Sequence, residues 1–517
     1  MVVQDRPDRT TPAAPAAEHT TGRHGSVAAQ RTAAQLASAV GGTVVTGDPT
    51  TTVAGITHDS RRVEPGWAFC CIPGDLHDGH DHAAAAVAGG AVVLLVERTL
   101  PLEVTQVLVG DARRALGPAA AEVFAQPADS LRTVGVTGTN GKTSVVTLIG
   151  HLVAACGMTA DVVGTLTGER TTPEASDLQA RLARDVADGV DVVALEVSSH
   201  ALVLGRVDGL VVDVAVFTNL GQDHLDFHGT TEEYFRAKAL LFTPEHARQA
   251  VVWVDDPAGA RLAGTSSIPT RSVGMVDAVD LRGAGGRWAW RWRGHEVELP
   301  WPGRHNVANA LLALEAAVAL GLDEGAVAAA LAGAPVVPGR FEVVGAASVA
   351  ESSPELPLVV VDFAHTPDAL DRVITAAREL CGPAGSLRVV VGCGGDRDRT
   401  KRPGIGRIAA IGADWVAVCD DNPRSEEPAA IRAEVLSGVP ESAAPKVREI
   451  GDRRSAIRAA LRSARQGDVV LIAGKGHEQG QTAGGVTVPF DDRVVALEEL
   501  EVVRAGTPAD DPGIGTP

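Results

Sequence analysis

One segment of the chain has the residue types of a phosphate-binding loop. Residues 137–144 read T-G-T-N-G-K-T-S and lie between an apolar run and a stretch with helical apolar spacing. Backbone N–H groups of a glycine-rich turn and of a helix N-terminus can hold phosphate oxygens. Lys142 would bring a positive charge to the β- and γ-phosphates, and Thr143 a hydroxyl to Mg²⁺. The residues predicted to bind nucleotide here are Gly138, Thr139, Asn140, Gly141, Lys142, Thr143 and Ser144.

The strict G-x-x-x-x-G-K-[ST] spacing is not met, because Val136 stands at its first position. A glycine-rich turn that binds nothing is therefore the alternative to a nucleotide site.

Acidic residues and histidines follow two other apolar runs. Glu196 comes directly after residues 190–195, and the segment 218–228, T-N-L-G-Q-D-H-L-D-F-H, follows residues 212–217. A carboxylate at the carboxyl end of a parallel strand can meet a ligand there. A dense group of Asp and His indicates metal or phosphate chemistry. An exposed loop carboxylate and a structural histidine are the alternatives for Glu196 and His224.

Lysine is rare in this chain, which has five lysines against 41 arginines. A lysine that persists against such a bias can be needed as a primary amine or a compact point charge. Two of the five are Lys142, in the phosphate loop, and Lys238, on a predicted helix. Chance, or a solvent-facing lysine on an amphipathic helix, is the alternative for Lys238.

The elements that must position these residues alternate between strands and helices, which predicts an α/β fold with mostly parallel sheets. The predicted divisions are a disordered leader at 1–26, domains at 27–129, 130–336 and 337–504, and a tail at 505–517. The predicted strands are 91–97, 106–109, 131–136, 190–195, 212–217, 250–254, 358–363, 386–391, 415–419 and 469–472. The predicted helices are 28–40, 144–156, 173–187, 231–241, 306–320, 367–380, 405–411 and 453–465.

Composition excludes several classes of protein. The formal net charge of −19 argues against a nucleic-acid partner, which would need a basic footprint. No apolar run approaches the roughly 18 residues of a membrane span. The six cysteines lack C-x-x-C spacing, so reduced thiols in the cytoplasm are expected rather than disulfides or a zinc site. A monomer is expected.

The motifs together resemble the Mur ligase family, ATP-dependent enzymes that form amide bonds in peptidoglycan synthesis. The resemblance is carried by T-G-T-N-G-K-T at 137–143, E-V-S-S-H at 196–200, T-N-L at 218–220 and D-H-L-D at 223–226. It implies a P-loop-type central sheet, flanked by an N-terminal UDP-binding α/β domain and a C-terminal Rossmann-like α/β domain. ATP and Mg²⁺ are the implied cofactors.

The resemblance also implies roles for individual residues of the reaction centre. Glu196 and His224 would bind Mg²⁺ between ATP and the substrate carboxylate, together with Thr143. The segment 234–242, Y-F-R-A-K-A-L-L-F, is similar to the family segment with a carbamylated lysine, here Lys238. A carbamate is an anion that can ligate a hard cation, and arginine cannot form it. The implied catalytic residues are Lys142, Glu196, His224 and Lys238.

Further nucleotide contacts are implied downstream. Residues 303–310 resemble the family element G-x-x-N-x-x-N-A, which places Asn306 and Asn309 on one helix face. Their amides can pair with an adenine edge, although Asn306 could instead be a helix N-cap. Arg340 and Asp362 resemble interdomain residues near the ribose and phosphates.

The substrate positions follow from the same resemblance. Ser60 is the candidate on the uridine side, although its segment could be a simple turn. The residues implied to hold the UDP-sugar peptide are Thr171, Thr172, Ser198 and Arg206.

The motif D-N-P-R at 421–424 is similar to the recognition motif of the members that add meso-diaminopimelate, although alone it could be a type I turn. The residues implied to bind this amino acid are Arg397, Asp421, Asn422, Arg424, Gly474 and Glu478. The resemblance therefore implies a ligase that joins it to UDP-N-acetylmuramoyl-L-alanyl-D-glutamate through an acyl phosphate. A lysine-adding relative, a folylpolyglutamate synthase and a nucleotide-binding regulator without turnover are the alternatives.

Overall fold

The computed structural model describes residues 31–74, 77–284, 286–345 and 356–505. The predicted leader at 1–26 lies outside this range, as does the predicted tail beyond residue 505. Within the described residues, no helix is both long and apolar enough to cross a membrane.

The N-terminal domain is built on a five-stranded sheet. The five strands are β2 (Thr43–Thr46), β4 (Gly55–Thr57), β5 (Trp67–Cys70), β6 (Val93–Val96) and β7 (Thr105–Leu108). Two short strands, β1 (Arg31–Thr32) and β3 (Thr52–Val53), pair antiparallel in a separate sheet. Its helices are α1 (Ala33–Ala39), α2 (Ala83–Ala88) and α3 (Ala112–Val123). The sheet order is β2-β7-β6-β5-β4, with β2 antiparallel to β7 and the other pairs parallel.

The central domain contains a six-stranded parallel sheet. Its strands are β8 (Arg132–Thr137), β9 (Ala160–Val163), β10 (Val192–Glu196), β11 (Val212–Phe217), β12 (Ala247–Trp253) and β13 (Thr270–Val273). A separate antiparallel sheet follows, with strands β14 (Val279–Ala284), β15 (Arg287–Trp292) and β16 (His295–Leu299). The helices are α4 (Lys142–Ala155), α5 (Ala175–Ala187), α6 (Ser199–Val203), α7 (Leu225–His228), α8 (Thr231–Ala239), α9 (Pro257–Thr265), α10 (Arg304–Ala319) and α11 (Glu324–Ala330).

The order of the parallel strands, β13-β12-β11-β8-β10-β9, places β8 between β11 and β10. After β8 the chain forms β9 and β10 on one side of β8, and then β11, β12 and β13 on the other side. The carboxyl end of β8 is therefore a topological switch point, the place where α/β sheets bind ligands. One face of this sheet packs on α4 and α10 and the other on α5 and α8. Burial on both faces explains the continuous apolar runs read from the sequence.

The C-terminal domain is a second α/β unit. Its strands are β17 (Glu342–Val344), β18 (Leu358–Asp362), β19 (Leu387–Val391), β20 (Trp415–Val418), β21 (Val447–Glu449), β22 (Val469–Ala473), β23 (Gly480–Ala483) and β24 (Val486–Pro489). Its helices are α12 (Pro367–Leu380), α13 (Arg402–Gly412), α14 (Pro428–Leu436), α15 (Arg453–Ser463) and α16 (Asp492–Arg504). The sheet order is β17-β18-β22-β19-β20-β21, with β17 antiparallel at the edge and β23–β24 forming a separate hairpin.

The predicted elements agree with the structure in type, and most differ by a few residues at their ends. The strand at 212–217 and the helix at 367–380 are confirmed at both boundaries. The helix predicted at 28–40 begins only at Ala33, because the Thr32 hydroxyl accepts a hydrogen bond from the Gln35 N–H and caps it there. The three-stranded sheet β14–β16 and the hairpin β23–β24 were not predicted.

Candidate active site

A cavity of about 830 Å³ lies where the strands of the central and C-terminal sheets end. The carboxyl ends of β8, β10 and β11 lead into the phosphate loop, Glu196 and the loop with His224. The carboxyl ends of β18, β19, β20 and β22 contribute from the other side. The cavity is thus bordered by two parallel sheets that present their ligand-binding edges to each other.

The phosphate loop turns through glycines with positive φ. Gly138 has φ 150° and Gly141 has φ 88°, a backbone that residues with a Cβ rarely adopt. Lys142 begins α4, and its Nζ donates to the carbonyl oxygens of Gly138 and Thr139, each at 3.0 Å. The side-chain nitrogen of Asn140, Nδ2, is buried without a hydrogen-bond partner among the described residues. The loop therefore holds an unsatisfied donor and a folded-back lysine, both of which suit a phosphate group.

Glu196 and Thr143 lie side by side in the cavity. The Thr143 hydroxyl donates to Glu196 Oε1 at 3.0 Å, and Glu196 is only 1% exposed. Glu196 Oε1 also accepts from the Thr165 N–H at 2.9 Å. A buried carboxylate beside a hydroxyl is an oxygen donor set that suits Mg²⁺, which is commonly held by one or two protein ligands together with phosphates.

Lys238 extends from α8 to the phosphate loop. Its Nζ donates to the Gly138 carbonyl at 2.9 Å, and the residue is 1% exposed. The same Nζ lies 4.4 Å from the centre of the Tyr234 ring, whose hydroxyl is 3.2 Å from Thr139 Oγ1. Burial lowers the pKa of Lys238 well below its ordinary value, and the charge of Lys142 lowers it further.

His224 lies in a strained turn at the start of α7. Its φ is 55°, a conformation uncommon outside glycine. Its Nε2 is 3.4 Å from Asp223 Oδ2, and its ring contacts His200 edge-on. Burial lowers the pKa of the His224 imidazole, so the ring is neutral near pH 7. Lys142 lines the same cavity, and its charge lowers the pKa of His224 further.

The described residues contain no group of three or more His, Cys, Asp or Glu arranged to hold a metal ion by themselves. A cation here would therefore take its remaining ligands from phosphates, water or a modified side chain.

Asn306 and Asn309 lie on α10 beside the phosphate loop. Asn309 Nδ2 donates to Asn306 Oδ1 at 3.0 Å, and Asn306 Nδ2 donates to the Pro302 carbonyl at 2.8 Å. The N-cap of α10 is Gly303, so the alternative interpretation of Asn306 as the cap is wrong. Both amides border the cavity, as a role in nucleotide binding requires.

Arg340 and Asp362 lie at the junction of the central and C-terminal domains. Arg340 Nη2 donates to Thr143 Oγ1 at 3.2 Å, and its guanidinium lies over the Phe363 ring. Asp362 ends β18 and accepts from the N–H groups of Phe341 and Ala364, each at 2.7 Å. Arg340 thus contacts Thr143, the second residue of α4.

Two arginines face the cavity from the C-terminal domain. Arg424 has φ 53°, and its N–H donates to the Thr482 carbonyl at 2.8 Å, so the β23–β24 hairpin fixes its backbone. Burial lowers the pKa of Arg424, and the nearby charge of Arg397 lowers it further. Both guanidinium groups line the cavity, where they could bind a carboxylate.

Acidic groups border the same end of the cavity. Glu478 Oε2 accepts from Asn422 Nδ2 at 2.7 Å and from Lys475 Nζ at 3.2 Å, while Asp421 lines the cavity nearby. Gly474 has φ 118°, and a Cβ there would crowd the Asp421 carboxylate. This end of the cavity therefore presents both cations and anions, as an amino acid with two ammonium and two carboxylate groups requires.

The residues implied for the UDP-linked substrate are only partly brought together. Thr171 and Ser198 line the cavity, and the Thr172 hydroxyl donates to the Glu196 carbonyl at 2.9 Å. Arg206 pairs with Glu174 at 2.9 Å and would have to exchange that partner to bind a substrate. Ser60 begins a 3₁₀ turn in the N-terminal domain and does not line the cavity described here.

The sequence analysis missed several residues of the cavity. Trp253 and Met275 line it outside every motif, and His305 lines it from within the element at 303–310, where it was given no role. Lys401 also lines it, as does Asp223, which belongs to the quoted segment 218–228 but was given no role of its own. Lys401 could have been found by extending the lysine argument to all five lysines.

Comparison with known protein families gives three matches along the chain. Residues 52–124 match the catalytic domain of the Mur ligase family, 136–317 the Mur ligase middle domain, and 339–476 the Mur ligase glutamate ligase domain. The strands of the five-stranded sheet and of the two six-stranded sheets fall largely within these segments.

Individual relatives agree with the family matches. The chain is 42% identical over 486 residues to the UDP-N-acetylmuramoyl-L-alanyl-D-glutamate–2,6-diaminopimelate ligase of Streptomyces avermitilis, over 87% of this chain and 92% of that protein. A solved structure with the same enzyme name is 33% identical, with a TM-score of 0.62, over 89% of this chain and 97% of that one. Folylpolyglutamate synthase of Mycobacterium tuberculosis, complexed with ADP and AMPPCP, is 21% identical with a TM-score of 0.54 over 69% of this chain and 92% of that one, and shows the fold alone.

Proposed function

Because the chain belongs to the Mur ligase family, we propose that it is an ATP-dependent ligase of peptidoglycan precursor synthesis. It adds meso-2,6-diaminopimelate to UDP-N-acetylmuramoyl-L-alanyl-D-glutamate through an acyl-phosphate intermediate. The observation that carries this assignment is that one cavity holds a phosphate loop at one end and the paired arginines Arg397 and Arg424 at the other.

In the first step the free carboxylate of the glutamyl residue attacks the γ-phosphorus of ATP. A new O–P bond forms, the bond to the bridging β,γ-oxygen breaks, and ADP leaves. Lys142 and the loop N–H groups stabilise the charge on the phosphates, and Arg340 is placed beside Thr143 to contribute to the same stabilisation. Most of the rate gain comes from positioning and charge stabilisation.

In the second step the amino group of diaminopimelate attacks the acyl carbon. The C–N bond forms, the C–O bond to phosphate breaks, and the nitrogen loses a proton. Arg397 and Arg424 are the proposed partners of the carboxylate at the distal end of the amino acid, and Glu478 and Asp421 of its distal ammonium. These contacts position the attacking amine.

Thr143 and Glu196 are the proposed ligands of Mg²⁺, with His224 and a carbamylated Lys238 as further ligands. When bound, the cation would neutralise charge on the phosphates. Lys238 suits carbamylation because its amine is buried and its acceptor is a backbone carbonyl rather than a carboxylate. The described residues contain no group of three or more His, Cys, Asp or Glu that could hold a metal ion. A carbamate on Lys238 would add a further anionic ligand.

Two further properties belong to this proposal. The substrates, ATP and a UDP-linked sugar peptide, place the reaction in the cytoplasm. We also retain the prediction that the protein acts as a monomer.

The alternatives are not favoured. A folylpolyglutamate synthase has no need of a D-N-P-R segment beside an acidic pocket, and that enzyme matches a smaller share of this chain at lower identity than the diaminopimelate-adding ligases do. A regulator without turnover would have no reason to bring Glu196, Lys142 and Lys238 to one loop.

The test is ADP release by the purified full chain with one substrate omitted at a time. We expect release to require ATP, the UDP-dipeptide and an amino acid, with diaminopimelate strongly preferred over L-lysine. Equal turnover with lysine would overturn the amino-acid assignment, and ADP release without the UDP-dipeptide would overturn the reaction itself.

A further inference from the structure

Two of the five lysines of this chain, Lys142 and Lys401, line the cavity. Lys142 and Lys238 meet on the phosphate loop, and Lys475 holds Glu478. Lys401 lines the cavity from the C-terminal domain, whereas Lys446 donates to the Ala413 carbonyl outside it. Lys401 is the cavity lysine for which neither the nucleotide nor the amino-acid site supplies a role.

Lys401 makes a buried ion pair across the boundary between two domains. Its Nζ lies 3.4 Å from Asp223 Oδ1, and both side chains are nearly buried, at 7% and 6% exposure. Asp223 belongs to the loop of the central domain that contains His224, and Lys401 ends the loop of the C-terminal domain that contains Arg397. The ion pair therefore joins the loop of the reaction centre to the loop of the amino-acid site.

Asp223 has two further polar neighbours, both histidines. His365 Nε2, from the C-terminal domain, lies 3.4 Å from its Oδ2, as does His224 Nε2 from its own loop. Asp223 thus contacts two side chains of the facing domain, Lys401 and His365.

The loop that ends at Lys401 is itself firmly held. Arg402, which follows Lys401, is fully buried and donates to both Glu426 and Glu434 and to the Gly394 carbonyl. The Asp398 carboxylate caps the turn by accepting from the Thr400 N–H at 2.9 Å. A second contact between the domains runs from Gln222 Nε2 to Thr400 Oγ1 at 3.2 Å. The turn that ends at Lys401 is thus anchored within the C-terminal domain and contacts the central domain through Lys401 and Thr400.

We propose that Lys401 is a positioning residue for the amide-forming step: paired with Asp223, it fixes the diaminopimelate loop against the loop of the reaction centre. The proposal rests on the proposed function for the identity of the two half-reactions. It assigns to Lys401 no contact with ATP, since the amine is already engaged by a buried carboxylate. Breaking the pair leaves the first half-reaction in place and misplaces the amine in the second.

The first experiment separates the two half-reactions. Acyl-phosphate formation is measured without diaminopimelate by trapping with hydroxylamine, and amide formation by product analysis. In Lys401→Met we expect amide formation to fall by about a hundredfold, since a misplacement of about 1 Å is enough for such a loss, while trapping stays within a few-fold. Lys401→Arg should recover part of the loss, and the matched control Lys446→Met should behave as wild type. An equal loss in both half-reactions would overturn the positioning role.

A double-mutant cycle tests the pairing itself. Asp223→Asn and the double variant with Lys401→Met are compared in the same two assays. If the pair acts as a unit, the double variant is no slower in amide formation than the slower single variant. Losses that multiply would show that Lys401 acts independently of Asp223, and would contradict the proposal.

A third measurement requires no turnover. Hydrogen exchange is followed in residues 218–228, across the domain boundary from the substitution. Lys401→Met should speed exchange there, and Lys446→Met should not. Unchanged exchange in Lys401→Met would overturn the proposed contact. Absence of ligase activity in the wild-type chain would overturn the proposed function instead, and the exchange result would still test the contact between the two loops.

Discussion

Lys142 and Lys238 donate hydrogen bonds to the same carbonyl oxygen, that of Gly138, at 3.0 and 2.9 Å. The two amines come from different helices, α4 and α8, and meet at one carbonyl of the phosphate loop. Burial lowers the pKa of each of them, and the charge of Lys142 lowers that of Lys238 further. One amine is thereby placed to meet phosphate, and the other is favoured in its neutral form.

Replacing Lys238 should abolish most activity even when the charge is kept. Lys238→Arg cannot form a carbamate, so we expect kcat to fall by at least about a hundredfold, the scale seen when one group that stabilises transition-state charge is removed. Lys238→Ala should be equally impaired but partly restored by acetate, which can supply a carboxylate. Lys446→Arg is the control. Full activity in Lys238→Arg would refute the carbamate assignment.

Carbamylation of Lys238 should depend on pH in a defined direction. CO₂ reacts with the neutral amine, and the lowered pKa of buried Lys238 leaves more of that form at any pH below 10.5 than an exposed lysine has. We therefore expect the carbamate to persist to lower pH than on a surface lysine. Carbon NMR with labelled CO₂ measures its occupancy, and a carbamate detected equally on Lys446 would contradict this expectation.

Removing Arg424 should affect the amino acid and not the nucleotide. In Arg424→Ala the loss of about 1.5–3 kcal/mol of charged hydrogen bonding should raise the KM for diaminopimelate by roughly tenfold to a hundredfold. Nucleotide binding, measured by calorimetry with ADP, should change little. Arg448→Ala, at an exposed arginine of the same domain, is the control. A large loss of ADP affinity in Arg424→Ala would place this arginine at the other end of the cavity.

Asp185 should make the fold less stable at high pH. Burial and the neighbouring Asp161 raise its pKa from 3.8 to about 6, so the folded state favours the protonated carboxyl. Its contribution to stability is full below pH 3.8 and is lost as the pH rises through about 6. Asp185→Asn should therefore raise the free energy of unfolding above this range and change it little below it.

The control for this prediction is Asp188→Asn, at an exposed carboxyl immediately after the same helix. Denaturant unfolding at a series of pH values measures both variants. A stabilisation of Asp185→Asn that grows as the pH falls would have the wrong sign.

The sequence predicted those parts of the site that depend on local spacing. The phosphate loop, Glu196 and the D-N-P-R segment each follow an apolar strand, and parallel topology alone brings such strand ends to one edge. Residues 288–292, W-A-W-R-W, alternate as a half-buried strand does, so β15 could have been predicted from its period.

Other features depend on tertiary packing and could not be found in this way. Lys401 and Asp223 are separated by 178 residues in the sequence. Their pairing depends on how the central and C-terminal domains face each other. The φ of 53° at Arg424 is fixed by contacts with a hairpin some sixty residues downstream. Similarly, the partner of Arg206 is Glu174, and no motif joins these two residues.

The central claim is that a carboxylate is activated as an acyl phosphate in the cavity between the phosphate loop and the paired arginines. The most direct test uses UDP-dipeptide whose free glutamyl carboxylate contains the heavy isotope of oxygen, with mass analysis of the released phosphate. We predict one heavy oxygen in each phosphate formed with the diaminopimelate product. Phosphate that contains no heavy oxygen, released while product accumulates, would contradict the account.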